Sequence, residues 1–224
     1  MGYKSIAIDG PAGAGKSTMA RALAKELGYV YVDTGAIYRT VALKTIRCGI
    51  APTDEQAVVR LLADLDVGMA YGEDGLQHMY MDGEDVTHAI REHKVSGVAS
   101  AVSAIGQVRA FLLELQRKMA RENNVVMDGR DIGTVVLPDA NLKIFLTADA
   151  EARAKRRQLE LAQRGEAADF ETILRDIIKR DEQDSNRAVA PLRQAEDAIL
   201  LDTTDLNLEE SLDALRKLAK EQMK

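Results

Sequence analysis

At 224 residues, with 46% hydrophobic and 29% charged side chains, the chain has enough apolar material for a folded core, which excludes intrinsic disorder as its general state. The 30 Lys and Arg against 36 Asp and Glu leave a formal charge of −6, unlike a general nucleic-acid binder, which needs a basic face to displace counterions. The single cysteine, Cys48, cannot close an internal disulfide, and no apolar run approaches the ~20 residues that span a bilayer.

The length favours one main domain carrying insertions. No apolar stretch of signal-peptide length precedes Asp9, so a soluble protein of a reducing, cytoplasmic compartment is expected, without membrane or nucleic-acid partners.

Residues 3–8 alternate apolar side chains and end in Asp9-Gly10. After a Gly-rich turn, residues 16–27 repeat apolar positions at helical spacing and stop at Gly28. The β-branched and aromatic residues 29–32 predict a second strand, and 36–47 a helix closed by Gly49. Thr53 and Gln56 read as a capping box for a helix reaching about residue 65. Two strand–helix units in succession predict a parallel sheet.

Between residues 66 and 86 the rhythm changes. Residues 67–71, 76–81 and Val86 are short strand-like runs separated by Asp74-Gly75 and Asp82-Gly83, dipeptides that favour tight hairpins, so an antiparallel insertion is expected. A helical segment at 104–121 restores the α/β pattern, with strands at 125–127 and 142–146 and helices at 150–163 and 170–184. A last strand at 199–201 precedes a closing helix at 208–220, for which Asn207 and Glu210 form a capping pair.

Gly10-Pro11-Ala12-Gly13-Ala14-Gly15-Lys16-Ser17, followed by Thr18, fits G-x-x-x-x-G-K-S and lies between a predicted strand and a predicted helix, the context that phosphate-binding loop requires. Glycines let successive backbone N–H groups turn around phosphate oxygens, Lys16 reaches the β and γ oxygens, and Ser17 offers its hydroxyl to Mg²⁺. Nucleoside triphosphate binding follows. The loop alone does not separate a kinase from a switch or a motor, but no N/T-K-x-D stretch for reading guanine occurs.

The second strand ends in Asp33-Thr34-Gly35-Ala36-Ile37-Tyr38-Arg39 and the third in Asp128-Gly129-Arg130-Asp131. Arg39 and Arg130 therefore emerge at the same sheet edge as the loop, where α/β folds bind ligands, and two guanidinium forks there suit a phosphorylated acceptor. Asp128 either orients water on Mg²⁺ or caps the turn. Arg153, Lys155, Arg156 and Arg157, ahead of Arg164-Gly165, form either a solvated face or a helix that closes on phosphates. His78, His88 and His93 read as surface or structural residues, because an anionic acceptor needs no general base.

Residues 8–18, 33–39 and 128–134 together resemble the bacterial cytidylate kinases, as do Arg180-Asp181-x-x-Asp184-x-x-Arg187-x-x-x-Pro191-Leu192 and Asp197-Ala198 ahead of Asp202-Thr203. The resemblance runs from about Ile6 to Thr203, with Thr34 where some members carry Ser. It implies a P-loop three-layer α/β fold: a five-stranded parallel sheet, an antiparallel β-containing monophosphate-binding insert at 66–103, a core of 1–65 and 104–224, and a short helical lid at about 150–190. It also implies transfer of the γ-phosphoryl group of Mg·ATP to CMP or dCMP by a monomer. By the same resemblance, Thr34, Arg39 and Arg130 hold the acceptor phosphate, while Ser100, Arg109 and Asp131 read cytosine, with Ser96 and Ser103 as alternatives to Ser100. Arg180 and Asp184 contact the sugar hydroxyls, and Arg187 is the lid arginine that reaches the transferring phosphoryl group; from the basic run, Arg157 is counted with it as a catalytic candidate. Other small acceptors (UMP, AMP, shikimate) and a non-catalytic nucleotide-binding module are the competing readings.

Overall fold

The computed structural model describes residues 2–72, 75–163, 165, 166 and 168–223, and for His93 the backbone alone. Five parallel strands, β1 (Ser5–Asp9), β2 (Val30–Asp33), β6 (Val125–Gly129), β7 (Leu142–Thr147) and β8 (Ile199–Asp202), stand in the order β2-β6-β1-β7-β8. Helices α1 (Lys16–Leu27), α2 (Thr34–Arg47), α3 (Glu55–Leu61), α4 (His93–Ser103), α5 (Gly106–Glu122), α6 (Ala150–Gln163), α7 (Phe170–Asn186) and α8 (Leu208–Gln222) complete the layers. A separate antiparallel sheet contains β3 (Val67–Tyr71), β4 (Gln77–Met81) and β5 (Glu84–Asp85).

The central strands are buried on both faces, as a helix-covered parallel sheet requires. Alternation divides their side chains. Ile6, Ile8, Val126 and Ile144 pack with Met19 and Leu23 of α1 and Leu215 of α8, whereas Ala7, Val32 and Met127 pack with Ile37 and Val41 of α2, Val102 of α4 and Leu112 of α5. The α6–α7 hairpin has its own small cluster of Ala154, Leu161, Ile173 and Ile177. Among the described residues no single helix is long and apolar enough to cross a membrane.

The register fixes where the site forms. Asp33 pairs with Asp128 across β2 and β6, and Asp9 with Gly129 across β1 and β6, so the three carboxylates finish at one edge of the sheet. Because β2 is an edge strand, its outward backbone groups need partners from elsewhere. Tyr71 and Gln77, opposite each other on β3 and β4, supply them. The Tyr71 hydroxyl donates to the Tyr31 carbonyl at 2.8 Å, while the Gln77 amide accepts from Asp33 N at 2.8 Å and donates to Asp33 O at 3.2 Å.

Three expectations are corrected. Residues 93–103, read only as part of a β-containing insert, form α4, which meets α5 at a 98° bend. Its Val and Ser content disfavours an isolated helix, but burial of Val95, Ala99 and Val102 overrides that preference. The cap of α3 is Asp54, whose carboxylate accepts from Ala57 N at 3.0 Å, not Thr53 with Gln56. Val86 follows rather than forms the third small strand. Asp74 of one predicted hairpin turn and Arg164 after the basic run lie outside the described residues.

Candidate active site

The phosphate loop runs from the end of β1 into α1. Gly15 adopts φ 86° as the N-cap of α1 and offers no side-chain cap, so the first-turn N–H groups keep their capacity for a ligand anion. Lys16 Nζ donates to the Pro11 carbonyl at 2.7 Å. Burial, reinforced by the Arg130 guanidinium, lowers its pKa well below the ordinary lysine value.

Ser17 Oγ donates to Asp128 Oδ2 at 2.9 Å, and the Tyr31 hydroxyl donates to Asp128 Oδ1 at 2.8 Å. Burial raises the Asp128 pKa, and the neighbouring Asp33 carboxylate adds to the rise. Ser17 and Asp128 thus stand side by side as hard oxygen donors, while no group of three or more His, Cys, Asp or Glu forms a metal cage among the described residues. That donor set fits Mg²⁺, which keeps waters and takes one or two protein ligands together with substrate phosphates.

Thr34 is buried, its hydroxyl donating to the Asp128 carbonyl at 2.8 Å. Gly129 permits this approach: a Cβ there would stand 2.6 Å from Ile132 Cδ1 and 2.8 Å from Thr34 Oγ1. Asp33 caps α2 by accepting from Ala36 N at 2.9 Å and holds Arg39 Nη2 at 2.8 Å, leaving Arg39 Nε buried without a protein partner. Arg130 Nε pairs with Asp184 Oδ2 at 2.8 Å. Burial opposes ionisation of Asp184, but Arg130, Arg180 and Arg187 outweigh it and lower its pKa. Arg180 is itself pushed down to about 10, by burial first and by the Arg130 charge second, and its Nε is buried without a protein partner.

Asp9, which the sequence reading left without a task, accepts from Ile132 N and Gly133 N, both at 2.7 Å. It thereby anchors the π-helical turn Ile132–Val136 that follows Arg130 and Asp131. Burial raises its pKa to about 6 against the lowering by those two backbone donors. Asp131 is held by Arg109 on one oxygen and by Arg187 Nη2 at 3.2 Å on the other. The Arg109 guanidinium lies 5.4 Å above the Tyr38 ring.

Arg187, which the resemblance gives as the arginine that reaches the transferring phosphoryl group, stands beside Asp131 on the cavity wall; its Nε donates to Ala190 O at 2.6 Å. The cations whose fields lower the Lys16 pKa are Arg130 and Arg180. Ser100 Oγ lies 3.4 Å from Gln183 Oε1, and Ser96, Ser100 and Ser103 share one wall. The basic run divides. Arg153 is buried and donates to Ala12 O at 2.9 Å while pairing with Asp181 at 2.7 Å, Arg156 binds carbonyls of Thr203 and Leu206, Arg157 pairs with Glu160 at 2.8 Å, and Lys155 is exposed. Among the histidines, His78 is half-buried beside Asp85, and the His93 side chain lies outside the described residues.

Lys16, Ser17, Thr18, Thr34, Arg39, Ser100, Arg109, Asp128, Arg130, Asp131, Arg157, Arg180, Asp184 and Arg187 line one cavity of about 520 Å³ together with Ala12, Gly13 and Gly15, whereas Gly10, Pro11 and Ala14 of the loop do not line it. Eight cationic and five acidic side chains face it, a positive site in an acidic chain. Sequence reasoning missed Tyr31, Tyr38 and Gln77. For Tyr31 the signal was its alternation with Val32 on a strand ending in Asp33, whereas nothing local marks Gln77.

The Cytidylate kinase family pattern matches residues 6–221. A cytidylate kinase of Caldicellulosiruptor bescii is 52% identical over 214 residues, covering 96% of this chain and 94% of its own, and one of Geobacter sulfurreducens is 49% identical over 216 residues, covering 96% and 92%. A solved structure from Eubacterium ventriosum, 15% identical, superposes with a TM-score of 0.50 over 96% of each chain, a likeness of fold alone. With the phosphate loop, the paired arginines and the five-stranded sheet in place, the chain belongs to the cytidylate kinase family and is a nucleoside monophosphate kinase.

Proposed function

We propose that the chain transfers the γ-phosphoryl group of Mg·ATP to CMP or dCMP, giving ADP and CDP or dCDP. The observation that carries this reading is the convergence, in one cavity, of Lys16, of Arg39 and Arg130, and of the Asp131–Arg109 pair. A triphosphate and a monophosphate would meet there at the C-terminal ends of the strands, where open α/β sheets bind ligands.

On the donor side, residues 10–18 cradle the phosphates, Lys16 draws on their oxygens, and Ser17 and Asp128 hold Mg²⁺. When bound, the ion neutralises charge on the phosphate oxygens. On the acceptor side, the Thr34 hydroxyl, Arg39 and Arg130 grip the monophosphate. Asp131 accepts from the exocyclic amino group of cytosine and Arg109 donates to its O2 or N3. Ser100, or Ser96 or Ser103 on the same wall, adds a hydroxyl, and Arg187 steadies Asp131. Arg180 and Asp184 take the sugar hydroxyls, and Arg157 closes from α6 over the phosphates.

In the transfer, an oxygen of the acceptor phosphate forms a bond to the γ-phosphorus as the bond from phosphorus to the β–γ bridging oxygen breaks, and the electron pair leaves with ADP. The attacking oxygen is already anionic, so no general base is needed and charge neutralisation by Lys16 and Arg130, with Arg157 from the lid, carries the rate. We assign 66–103 as the monophosphate-binding lobe and about 150–190 as the lid, in a cytoplasmic monomer.

The test is a steady-state assay of ADP formation from Mg·ATP with CMP, dCMP, UMP, AMP, GMP and shikimate as separate acceptors. CMP and dCMP are expected to dominate in kcat/KM. A higher value for any other acceptor overturns the base-reading assignment, and no ADP with any of them overturns the kinase reading.

A further inference from the structure

The insert sheet touches the core at a point with consequences for the acceptor. Tyr71 and Gln77 are cross-strand partners on β3 and β4, and together they take up three backbone groups on the open edge of β2: Tyr31 O, Asp33 N and Asp33 O. Gln77 is buried, and its amide presents an acceptor and a donor as a neighbouring strand would. Asp33, fixed in this way, continues directly into Thr34, caps α2 and holds Arg39. The pair therefore stands one residue from the proposed acceptor grip while touching none of the phosphate loop.

We infer that the Tyr71–Gln77 pair is a positioning latch, through which the insert sheet sets Asp33 and hence the placement of Thr34 and Arg39 for the acceptor phosphate. The inference rests on the proposed phosphate role of Arg39. Replacing Gln77 by Leu keeps the volume but strands a buried N–H and a buried C=O at Asp33, a loss that frees the N-terminus of α2 to shift. Tyr71→Phe removes one hydroxyl and keeps the ring, so it loosens the same strand more gently.

The experiment compares Gln77→Leu, Tyr71→Phe, Arg39→Ala and the double variant Gln77→Leu/Arg39→Ala, with CMP KM and kcat from steady state and ATP dissociation from direct titration. For Gln77→Leu we expect the CMP KM to rise about tenfold, with ATP dissociation within twofold, and for Tyr71→Phe a smaller rise in the same direction. Because Gln77 acts through Arg39 as well as Thr34, the Leu substitution should raise the CMP KM by clearly less once Arg39 is already Ala. Full additivity in the double variant overturns the latch, as does an unchanged CMP KM in both single insert variants or an equal weakening of ATP and CMP. If Gln77→Leu fails to fold, Tyr71→Phe decides alone. An Arg39→Ala protein with unchanged CMP KM instead overturns the phosphate role of Arg39 and the latch with it, whereas a raised KM there with inert insert variants sinks only the latch.

Discussion

Arg130 Nε lies 2.8 Å from Asp184 Oδ2, joining the end of β6 to α7 across the mouth of the cavity. The arginine is thus aimed before any substrate arrives. Replacing it with Ala should lower kcat about 10²- to 10³-fold, the usual cost of one aimed donor to a developing anionic charge, while ATP dissociation stays within about twofold. Arg130→Lys should recover little, because an ammonium cannot serve Asp184 and a phosphate with one planar fork. A kcat within tenfold of the parent for Arg130→Ala refutes the role.

Lys16 gives a prediction in which stability and activity part. Burial holds its pKa well below the ordinary lysine value of 10.5, so over the alkaline range the unfolded chain binds more protons than the native one, and this group makes stability rise with pH. Lys16→Met should lose that alkaline slope in urea denaturation, keep or raise the midpoint near neutrality, and lose at least ~10²-fold in kcat. A variant with the parental slope contradicts the burial argument.

Asp9 has the opposite sign. Its carboxyl is raised from 3.8 to about 6, mainly by burial, so the native state holds the extra proton between those values. The contribution is present in full below the unfolded value and is lost as pH rises through about 6. Measured against Asp9→Asn, the parent should lose ~2 kcal/mol of unfolding free energy between pH 4.5 and 7. Paired denaturation curves at those two pH values check it; parallel changes in both proteins reject the assignment.

Asp131 bears on selectivity. Its two oxygens are held by Arg109 and Arg187, so the carboxylate cannot turn away from a mismatched base without breaking a buried ion pair. CMP is expected to exceed UMP in kcat/KM by ~10²-fold or more, and Asp131→Asn, which can present an amide N–H to a uracil carbonyl, should narrow that ratio to about tenfold or less. An unchanged ratio removes Asp131 from base reading.

Where local sequence carried the physics, the sequence reading and the structure agree closely. Helix α6 has the expected limits, and Asn207 with Glu210 forms the expected capping box at the start of α8. The loop of residues 10–17 likewise sits between β1 and α1 because its glycines and helix start are adjacent in the chain. What was missed depends on partners far away. Helix α4 carried its signal in the spacing of Val95, Val98, Ala99 and Val102, but its weak intrinsic preference hid it, and burial on the core decides. The basic run at 153–157 left open whether Arg153 was solvated or turned inward, and the burial that decides it comes from Ala12 and Asp181, supplied by other elements. The ion pair of Arg187 with Asp131 was likewise not legible, because the two residues lie far apart in the chain and the turn after Asn186 brings them together.

The pairing of Arg39 with Asp33, of Arg130 with Asp184 and of Arg109 with Asp131 has an entropic consequence. Each carboxylate holds its guanidinium in place before the nucleotide proposed to bind there arrives, so little side-chain freedom is left to lose on binding.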